Sequence, residues 1–506
     1  MNDILPYIYY SLPWLFVIGL SVAAVLGIGV GMVWPRFLVY PYLLVFFWVN
    51  STSYGNLAVF ASRSIYSRGS GMLFFGVVLW YVLGAWLCAH MAASFMNMNN
   101  YAYNFSNNVA SGPQRQGTPA CNLRPWFLAW TVLLAAHVGV GLVAGVPLAD
   151  SLAPSGFSNI VWMAPLISLM LLAFRTREQA LELARFIMLA GLARALFGLG
   201  RWALSGGDPN NVYANMNAIQ IRLTFFDIND SLLCTLAFAI AAVALFQAPS
   251  GAAAPAQGRL WRALAWVTLA ATALCVVLSY RRTAWIGFLL AFAVILLRFP
   301  PARRLQLGLA AVPLAGAAMA FVAARRLAQT RAGADGGLLH DMQSRRFGPE
   351  SERVLELKLA FADFLAHPLA GIGAWGRYHG YQAISWQTNP DGGLFLHSGV
   401  LHIALKSGLL GTLLLVGTIV AFVLGARRAL RSLPPELLGL GAAGAAGLAF
   451  MIPDLLIGTP FPQVRTTQML ALCLSLPYLA LAAAQGAATP QRPAWQRVPR
   501  RQLVPA

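Results

Sequence analysis

The sequence predicts an all-α, polytopic integral membrane protein with about twelve transmembrane helices and one long periplasmic loop. The first observation behind this prediction is composition, since 58% of the 506 residues are hydrophobic and only 10% are charged, whereas about 25% are charged in an average soluble domain. The second is that apolar runs of the roughly 20 residues needed to cross a bilayer recur along nearly the whole chain. No large soluble domain remains outside these runs.

The apolar runs give twelve or thirteen candidate spans. The second run is short and the sixth contains three arginines, so either is a candidate for a re-entrant or tilted segment. The first run has no basic segment before it and no small-residue cleavage signal after it, which indicates a first span and not a removable signal peptide. The runs lie at about 13–34, 37–50, 72–94, 126–147, 157–174, 184–204, 230–248, 260–279, 283–299, 304–323, 400–425, 436–456 and 466–485.

Arginines in the short connections predict the orientation of the helices, because basic loops stay on the cytoplasmic side. Such arginines cluster near 298–304, at 427–431 and in the tail after 491. One span separates the first cluster from the long segment that follows, so this segment is predicted to be periplasmic, together with Arg222 and the turn at Arg281. The side of the N-terminus stays open, since thirteen spans put it outside and twelve put it inside.

These predictions divide the chain into four parts. Transmembrane helices of the bundle occupy residues 1–323, and the periplasmic loop occupies 324–399. C-terminal transmembrane helices follow at 400–485, and residues 486–506 form a cytoplasmic tail. Within the loop, residues 350–365 place apolar side chains at helical spacing with charges on the other face, which predicts an amphipathic helix lying on the membrane or on the bundle.

The net charge of +19 is carried almost entirely by arginine. Arginine pairs bidentately with phosphate, so on a membrane protein this charge indicates membrane lipid or a diphosphate-bearing substrate as readily as nucleic acid, and we expect no nucleic-acid partner. The sequence has no HExxH, Walker A or paired-cysteine motif, and the bare GxGxxG at 371–376 lacks the strand and helix of a dinucleotide site. We therefore expect no metal and no cofactor, and we interpret those glycines as a turn or a close backbone approach.

His397 is the first candidate for catalysis. It stands where the polar loop ends and an apolar helix begins, in LFLHSGVLHIALKSGLLG. A neutral imidazole near the membrane surface can act as a general base towards a hydroxyl group. The competing interpretation is a histidine that caps the helix or lies at the membrane interface.

Arg282 and Arg222 are candidates for binding an anion. Both are predicted at the outer ends of spans, and two cations near His397 would stabilise an anionic leaving group such as a diphosphate. The alternative is that these arginines reach the phosphates of membrane lipids.

Three short motifs resemble those of bacterial O-antigen ligases and of the wider O-antigen ligase and polymerase superfamily. The pair His397-Ser398, followed after nine residues by Gly408-Leu-Leu-Gly411, is similar to the histidine signature of the ligases. The segment HPLAGIGAWGRY at 367–378 is similar to the Pro-Leu-x-Gly-x-Gly segment of the superfamily, and RTAW at 282–285 is similar to its Arg-x-x-Trp motif.

The resemblance implies an inner-membrane glycosyltransferase of lipopolysaccharide biosynthesis that needs no metal and no nucleotide sugar. Its donor would be O-antigen on undecaprenyl diphosphate, and its acceptor a hydroxyl of the lipid A core oligosaccharide, joined at the periplasmic face. By this analogy His397 is the general base or its close support, and Arg282 holds the diphosphate. Arg222 would share that role, although the neighbouring FFDIND lacks the Asn-Pro-Asn-like stretch expected there.

Other functions remain open. An O-antigen polymerase uses the same donor but accepts onto another lipid-linked repeat. A protein O-oligosaccharyltransferase ranks lower, because the short tail leaves no room for the outer C-terminal domain that many of them carry. A lipid-linked glycan flippase or transporter belongs to a different class, and the sequence has no pair of interrupted spans in matching halves to favour it. The oligomeric state, the sugar and the acceptor hydroxyl stay open as well.

Overall fold

The computed structural model describes residues 26–49, 81–94, 121–147, 158–209, 222–247, 259–329, 349–384 and 396–488. Within these ranges the chain is helical and has no β-strand, which confirms the all-α prediction. A π-helical turn, Val45–Val49, continues α2. The helices are α1 (Leu26–Val33), α2 (Arg36–Leu44), α3 (Tyr81–Ser94), α4 (Arg124–Val143), α5 (Ser158–Val161), α6 (Met163–Ala173), α7 (Arg177–Leu204), α8 (Ile228–Phe246), α9 (Arg259–Val277), α10 (Arg282–Leu296), α11 (Pro301–Gln329), α12 (Pro349–Ala366), α13 (Gly399–Ser432), α14 (Pro435–Ile457) and α15 (Val464–Ala488).

Eight helices of the described ranges are long and apolar enough to cross a membrane, namely α4, α7, α8, α9, α11, α13, α14 and α15. Helices α1 and α2 meet at a bend of 114° and give a ninth span if taken together. Three further apolar runs form the shorter helices α3, α5–α6 and α10. The protein is therefore polytopic, while the total of about twelve spans stays a prediction, because part of the run at 72–94 lies outside the described residues.

Helix α7 corresponds to the arginine-rich sixth run, which was a candidate for a re-entrant or tilted segment. It is one continuous helix of 28 residues, and Thr176 caps its start by accepting the backbone N–H of Gln179. The bend between α1 and α2, by contrast, fits the expectation that the short second run is re-entrant or tilted.

The helices alternate in direction, so their ends form two levels. One level, which we call the His397 end, contains the starts of α8, α10, α13 and α15 and the ends of α7, α9 and α14. Thr224, between α7 and α8, ties this level together, since its N–H donates to the carbonyl of Leu278 and its own carbonyl accepts from Arg201. At the opposite end, Arg177 of α7 pairs with Glu436 of α14 at 2.7 Å.

Charged residues lie inside the bundle near the His397 end. Asp230 of α8 accepts two hydrogen bonds from Arg194 of α7, both at 3.1 Å, and one from Arg465 of α15 at 2.6 Å. Arg465 also donates to the carbonyls of Phe46 and Phe47 in the π-helical turn after α2. These three charged side chains are fully buried, so the network joins α7, α8, α15 and the bent N-terminal segment.

Helix α12 (Pro349–Ala366) covers the segment predicted to be an amphipathic helix, but two of its acidic side chains are buried. The carboxylates of Glu356 and Asp363 are buried, whereas the apolar Phe361 is 50% exposed. The carboxylates turn inward because each accepts a backbone N–H and lies within hydrogen-bonding distance of the ring Nδ1 of a histidine, His397 for Glu356 and His379 for Asp363. These polar contacts add to the apolar packing of α12, in which Ala360 lies in a cluster with Leu405 of α13.

Candidate active site

The imidazole of His397 is held by Glu356 of α12. The Oε2 atom of Glu356 accepts the backbone N–H of His397 at 3.0 Å and lies 2.9 Å from Nδ1 of the ring. The Glu356 side chain is fully buried, while 18% of the His397 side chain is exposed. With Glu356 ionised, the carboxylate can only accept, so Nδ1 carries the proton of the neutral ring and the basic lone pair is on Nε2.

The start of α13 is capped by Ser398 and not by His397. The Ser398 hydroxyl accepts the backbone N–H of Leu401 at 3.2 Å, which is the usual N-cap contact. The interpretation of His397 as the helix cap is therefore wrong. His402 lies about one turn further along, within α13, and is buried.

Gly408 breaks α13 by taking a backbone conformation, φ 62° and ψ −155°, that side chains other than hydrogen disfavour. The backbone of the segment 368–373 enters at this break. The N–H groups of Ile372 and Gly373 donate to the carbonyls of Leu405 and Lys406 at 2.8 and 3.1 Å. In return, the N–H of Leu409 donates to the carbonyl of Pro368 at 2.7 Å. Two motifs recognised separately in the sequence thus form one contact, and the groups freed by the break are satisfied inside an apolar bundle.

Close packing requires glycine at three positions of these motifs. A side chain at Gly408 would meet the backbone of Leu369, and one at Gly371 would meet the backbone of Leu405 and Lys406. Gly411 faces the Ser407 side chain in the same way. This confirms the interpretation of the glycine-rich segment as a close backbone approach.

Helix α10 begins beside two adjacent arginines in different surroundings. Arg281 is partly buried, donates to the carbonyl of Phe226 and lies 3.8 Å from Asp454 of α14. Arg282 is exposed and is the first residue of α10. His397 and Arg281 are both near enough to Asp454 for their charges to act on it. The start of α10, the end of α14 and the start of α13 therefore border one site.

Arg222 lies at the same end of the bundle. Its side chain is exposed, and its carbonyl accepts the indole N–H of Trp202 at 3.0 Å. It stands two residues before Thr224, which binds the end of α9 next to the Arg281–Arg282 turn. The structure thus brings Arg222, Arg282 and His397 to one level of the bundle, although they come from three separate parts of the chain.

Tyr378 forms part of the surroundings of Glu356. Burial raises the pKa of the Tyr378 phenol, and the negative charge of Glu356 raises it further. Its hydroxyl is buried and has no hydrogen-bond partner among the described residues. The tyrosine belongs to the glycine-rich segment, so that segment contributes both the contact with α13 and a protonated hydroxyl beside Glu356.

Sequence reasoning missed Glu356, Arg281 and Asp454. Asp454 gave a usable signal, because an acidic residue inside an apolar run is costly in a bilayer and is usually paired or functional. Arg281 was noted only as the neighbour of Arg282. The burial of Glu356 could not be predicted from the sequence, since a glutamate in an amphipathic helix is expected on its solvated face.

The side chains at the site are suited to binding an anion. Within the described ranges, no three histidine, cysteine, aspartate or glutamate side chains are grouped to hold a metal ion. The exposed Arg222 and Arg282 at the His397 end have guanidinium groups, which bind phosphate oxygens bidentately. An imidazole with its basic atom on Nε2 and guanidinium groups at the same level can serve displacement of a phosphate leaving group by a hydroxyl.

Comparison with known proteins places this region in a family. A family model described as O-Antigen ligase matches residues 267–416. The matched region contains Arg282, Glu356, His397 and the broken part of α13. No curated protein matches the chain.

Proposed function

Because residues 267–416 place the chain in the O-antigen ligase superfamily, we propose that it is an O-antigen ligase. In this proposal it transfers O-antigen polysaccharide from undecaprenyl diphosphate to a hydroxyl of the lipid A core oligosaccharide, at the periplasmic face of the inner membrane. The family match supports enzymes of O-antigen ligase or polymerase type. The choice of the ligase follows the description of the matching family.

The proposed reaction is a direct displacement at the anomeric carbon of the donor sugar. Nε2 of His397 takes the proton of the acceptor hydroxyl, and the hydroxyl oxygen forms a bond to the anomeric carbon. The bond between that carbon and the phosphate oxygen breaks, and undecaprenyl diphosphate leaves with the electron pair. Arg282 and Arg222 bind the diphosphate as its charge increases. The reaction inverts the anomeric configuration and requires no metal in this scheme.

The observation that carries the proposal is the position of His397. The ring is partly exposed at an end of the bundle, its Nδ1 contacts a buried carboxylate, and Arg281 and Arg282 at the start of α10 lie at the same end. Burying the carboxylate of Glu356 costs free energy unless the carboxylate is paired. A histidine that only fills space would not require such a carboxylate from a separate helix.

Deletion of the gene in a strain that makes long O-antigen tests the proposed function. We expect unmodified lipid A core together with long glycan accumulated on undecaprenyl diphosphate, detected by lipopolysaccharide gels and analysis of the lipid-linked pool. Core that carries a single repeat would assign the protein as a polymerase instead. Unchanged lipopolysaccharide would exclude both functions.

Replacement of Arg282 tests the diphosphate site. Arg282→Ala is expected to lower the rate of transfer by about 10²-fold, because it removes a guanidinium that stabilises the leaving group. Arg282→Lys should fall between this variant and the wild type, since lysine keeps the charge but not the bidentate geometry. The measurement is release of undecaprenyl diphosphate by purified protein in lipid.

The matched control is Arg303→Ala, since Arg303 is an exposed arginine at the start of α11, at the opposite end of the bundle. It should transfer at the wild-type rate. If Arg282→Ala also retained near-normal transfer, Arg282 would be an arginine at the membrane interface with no part in the reaction.

A further inference from the structure

Two acidic side chains of helix α12 make similar contacts with histidines outside the helix. At Glu356, one carboxylate oxygen accepts the backbone N–H of His397 at 3.0 Å and lies 2.9 Å from its Nδ1. At Asp363, the carboxylate accepts the backbone N–H of His379 at 2.7 Å and lies 2.9 Å from its Nδ1. The two acids are seven residues apart, two turns of helix, and so lie on the same face of α12.

The two contacts differ in their surroundings. The side chain of His379 is 88% exposed, whereas that of His397 is 18% exposed and faces the site formed by α10, α13 and α14. The Glu356 side chain is fully buried, while that of Asp363 is 10% exposed. Attachment of a helix to the bundle explains both contacts equally well, but it does not explain why the histidine beside Glu356 is largely buried whereas the histidine beside Asp363 is almost fully exposed.

A carboxylate behind Nδ1 has two effects on an imidazole that accepts a proton at Nε2. It keeps the proton of the neutral ring on Nδ1, so that the lone pair is on Nε2. It also lies beside the positive charge that the ring acquires after taking the proton, and a charge pair in a buried setting is screened less than one in water. Aspartate has this role behind the catalytic histidine of serine proteases.

We propose that Glu356 is a positioning residue for His397, so that α12, a helix of the long loop, supplies part of the catalytic unit by presenting a buried carboxylate to Nδ1. This inference rests on the transfer reaction proposed above. In each turnover the proton of the acceptor hydroxyl moves to Nε2, the imidazolium is paired with Glu356, and the proton then leaves to solvent. In this proposal His397 is activated only while α12 is packed beside it.

The test uses Glu356→Gln, with Asp363→Asn as the matched control on the same face of α12. Glutamine keeps an oxygen that can accept both N–H groups but removes the charge. We expect kcat to fall by about 10²-fold in Glu356→Gln with little change in KM for the acceptor. Asp363→Asn should stay within about twofold of the wild-type kcat. All variants are purified as full chains in lipid, and their thermal midpoints are measured to compare folding.

The double variant Glu356→Gln/His397→Ala separates positioning from structural support. If Glu356 acts through His397, adding Glu356→Gln to His397→Ala should cause almost no further loss of kcat, since residues that act as a unit are strongly non-additive. An additive loss, or equal losses of kcat in Glu356→Gln and Asp363→Asn, would overturn the inference and leave Glu356 as an attachment point of α12.

The readout is release of undecaprenyl diphosphate, measured with lipid A core and with a lipid-linked repeat as acceptor. This choice keeps the inference apart from the proposed function. Release with the lipid-linked repeat alone would correct the acceptor but leave the test of Glu356 valid. Absence of release by the wild type with either acceptor would overturn both the proposed function and the role of Glu356.

Discussion

His397→Ala is expected to abolish measurable glycan transfer in cells and to reduce turnover of the purified protein by about 10²- to 10⁴-fold, the range that removal of a general base usually causes. The fold should survive, because the ring is partly exposed and its backbone N–H bond to Glu356 does not depend on the side chain. Turnover is measured as release of undecaprenyl diphosphate, and folding is measured by gel filtration in detergent and by the thermal midpoint.

His379→Ala provides the matched control. It removes the other histidine ring that contacts a carboxylate of α12, but this ring is almost fully exposed. We expect wild-type transfer in this variant. Normal transfer by a well-folded His397→Ala protein would remove His397 from the mechanism, and equal losses in the two histidine variants would point to detachment of α12 as their common cause.

Asp230→Ala is expected to produce the largest loss of stability, on the order of 3–5 kcal/mol in the free energy of unfolding. The reason is that the substitution removes the carboxylate that the fully buried Arg194 binds and one of the two carboxylates that the buried Arg465 binds, the other being Asp227. Surrounding helices are apolar, so little water can replace the lost partner. The yield of monodisperse protein in detergent and its thermal midpoint should both fall sharply.

Glu436→Ala serves as the comparison, because it removes a carboxylate from an arginine pair of similar length that lies near the surface. The Arg177–Glu436 pair is 2.7 Å long, and its side chains are 40% and 29% exposed. A pair of this kind contributes at most about 1 kcal/mol. Similar thermal midpoints for the Asp230 and Glu436 variants would mean that burial of the Asp230 network does not control stability.

Membership of the membrane class followed from the sequence alone, and the reason is physical. Whether a segment can enter a bilayer depends on the average hydropathy of roughly 20 neighbouring residues, and this average follows directly from the sequence. The apolar runs predicted for α13 to α15 lie close to the bounds of the observed helices. The prediction was less successful for α10, whose 15 residues span about 22 Å at 1.5 Å per residue, less than the roughly 30 Å of a bilayer core.

Motif reasoning located parts of the site but not the contacts between them. The glycines at Gly371 and Gly408 were noted in separate motifs, and only the structure shows that the backbone at one enters the break at the other. Such a contact depends on two segments meeting in space, and the spacing of residues within either segment does not contain that information.

The start of α13 just after His397 could be predicted from the sequence, because the change from a polar loop to an apolar run is local. What holds His397 was decided by the tertiary structure. Glu356 lies 41 residues earlier in the chain, and Asp230 is separated from Arg465 by 235 residues. From a charged residue in an apolar run, the sequence indicates only that the side chain requires a partner. The identity of that partner depends on which helices pack together, and this follows from the fold of the whole bundle.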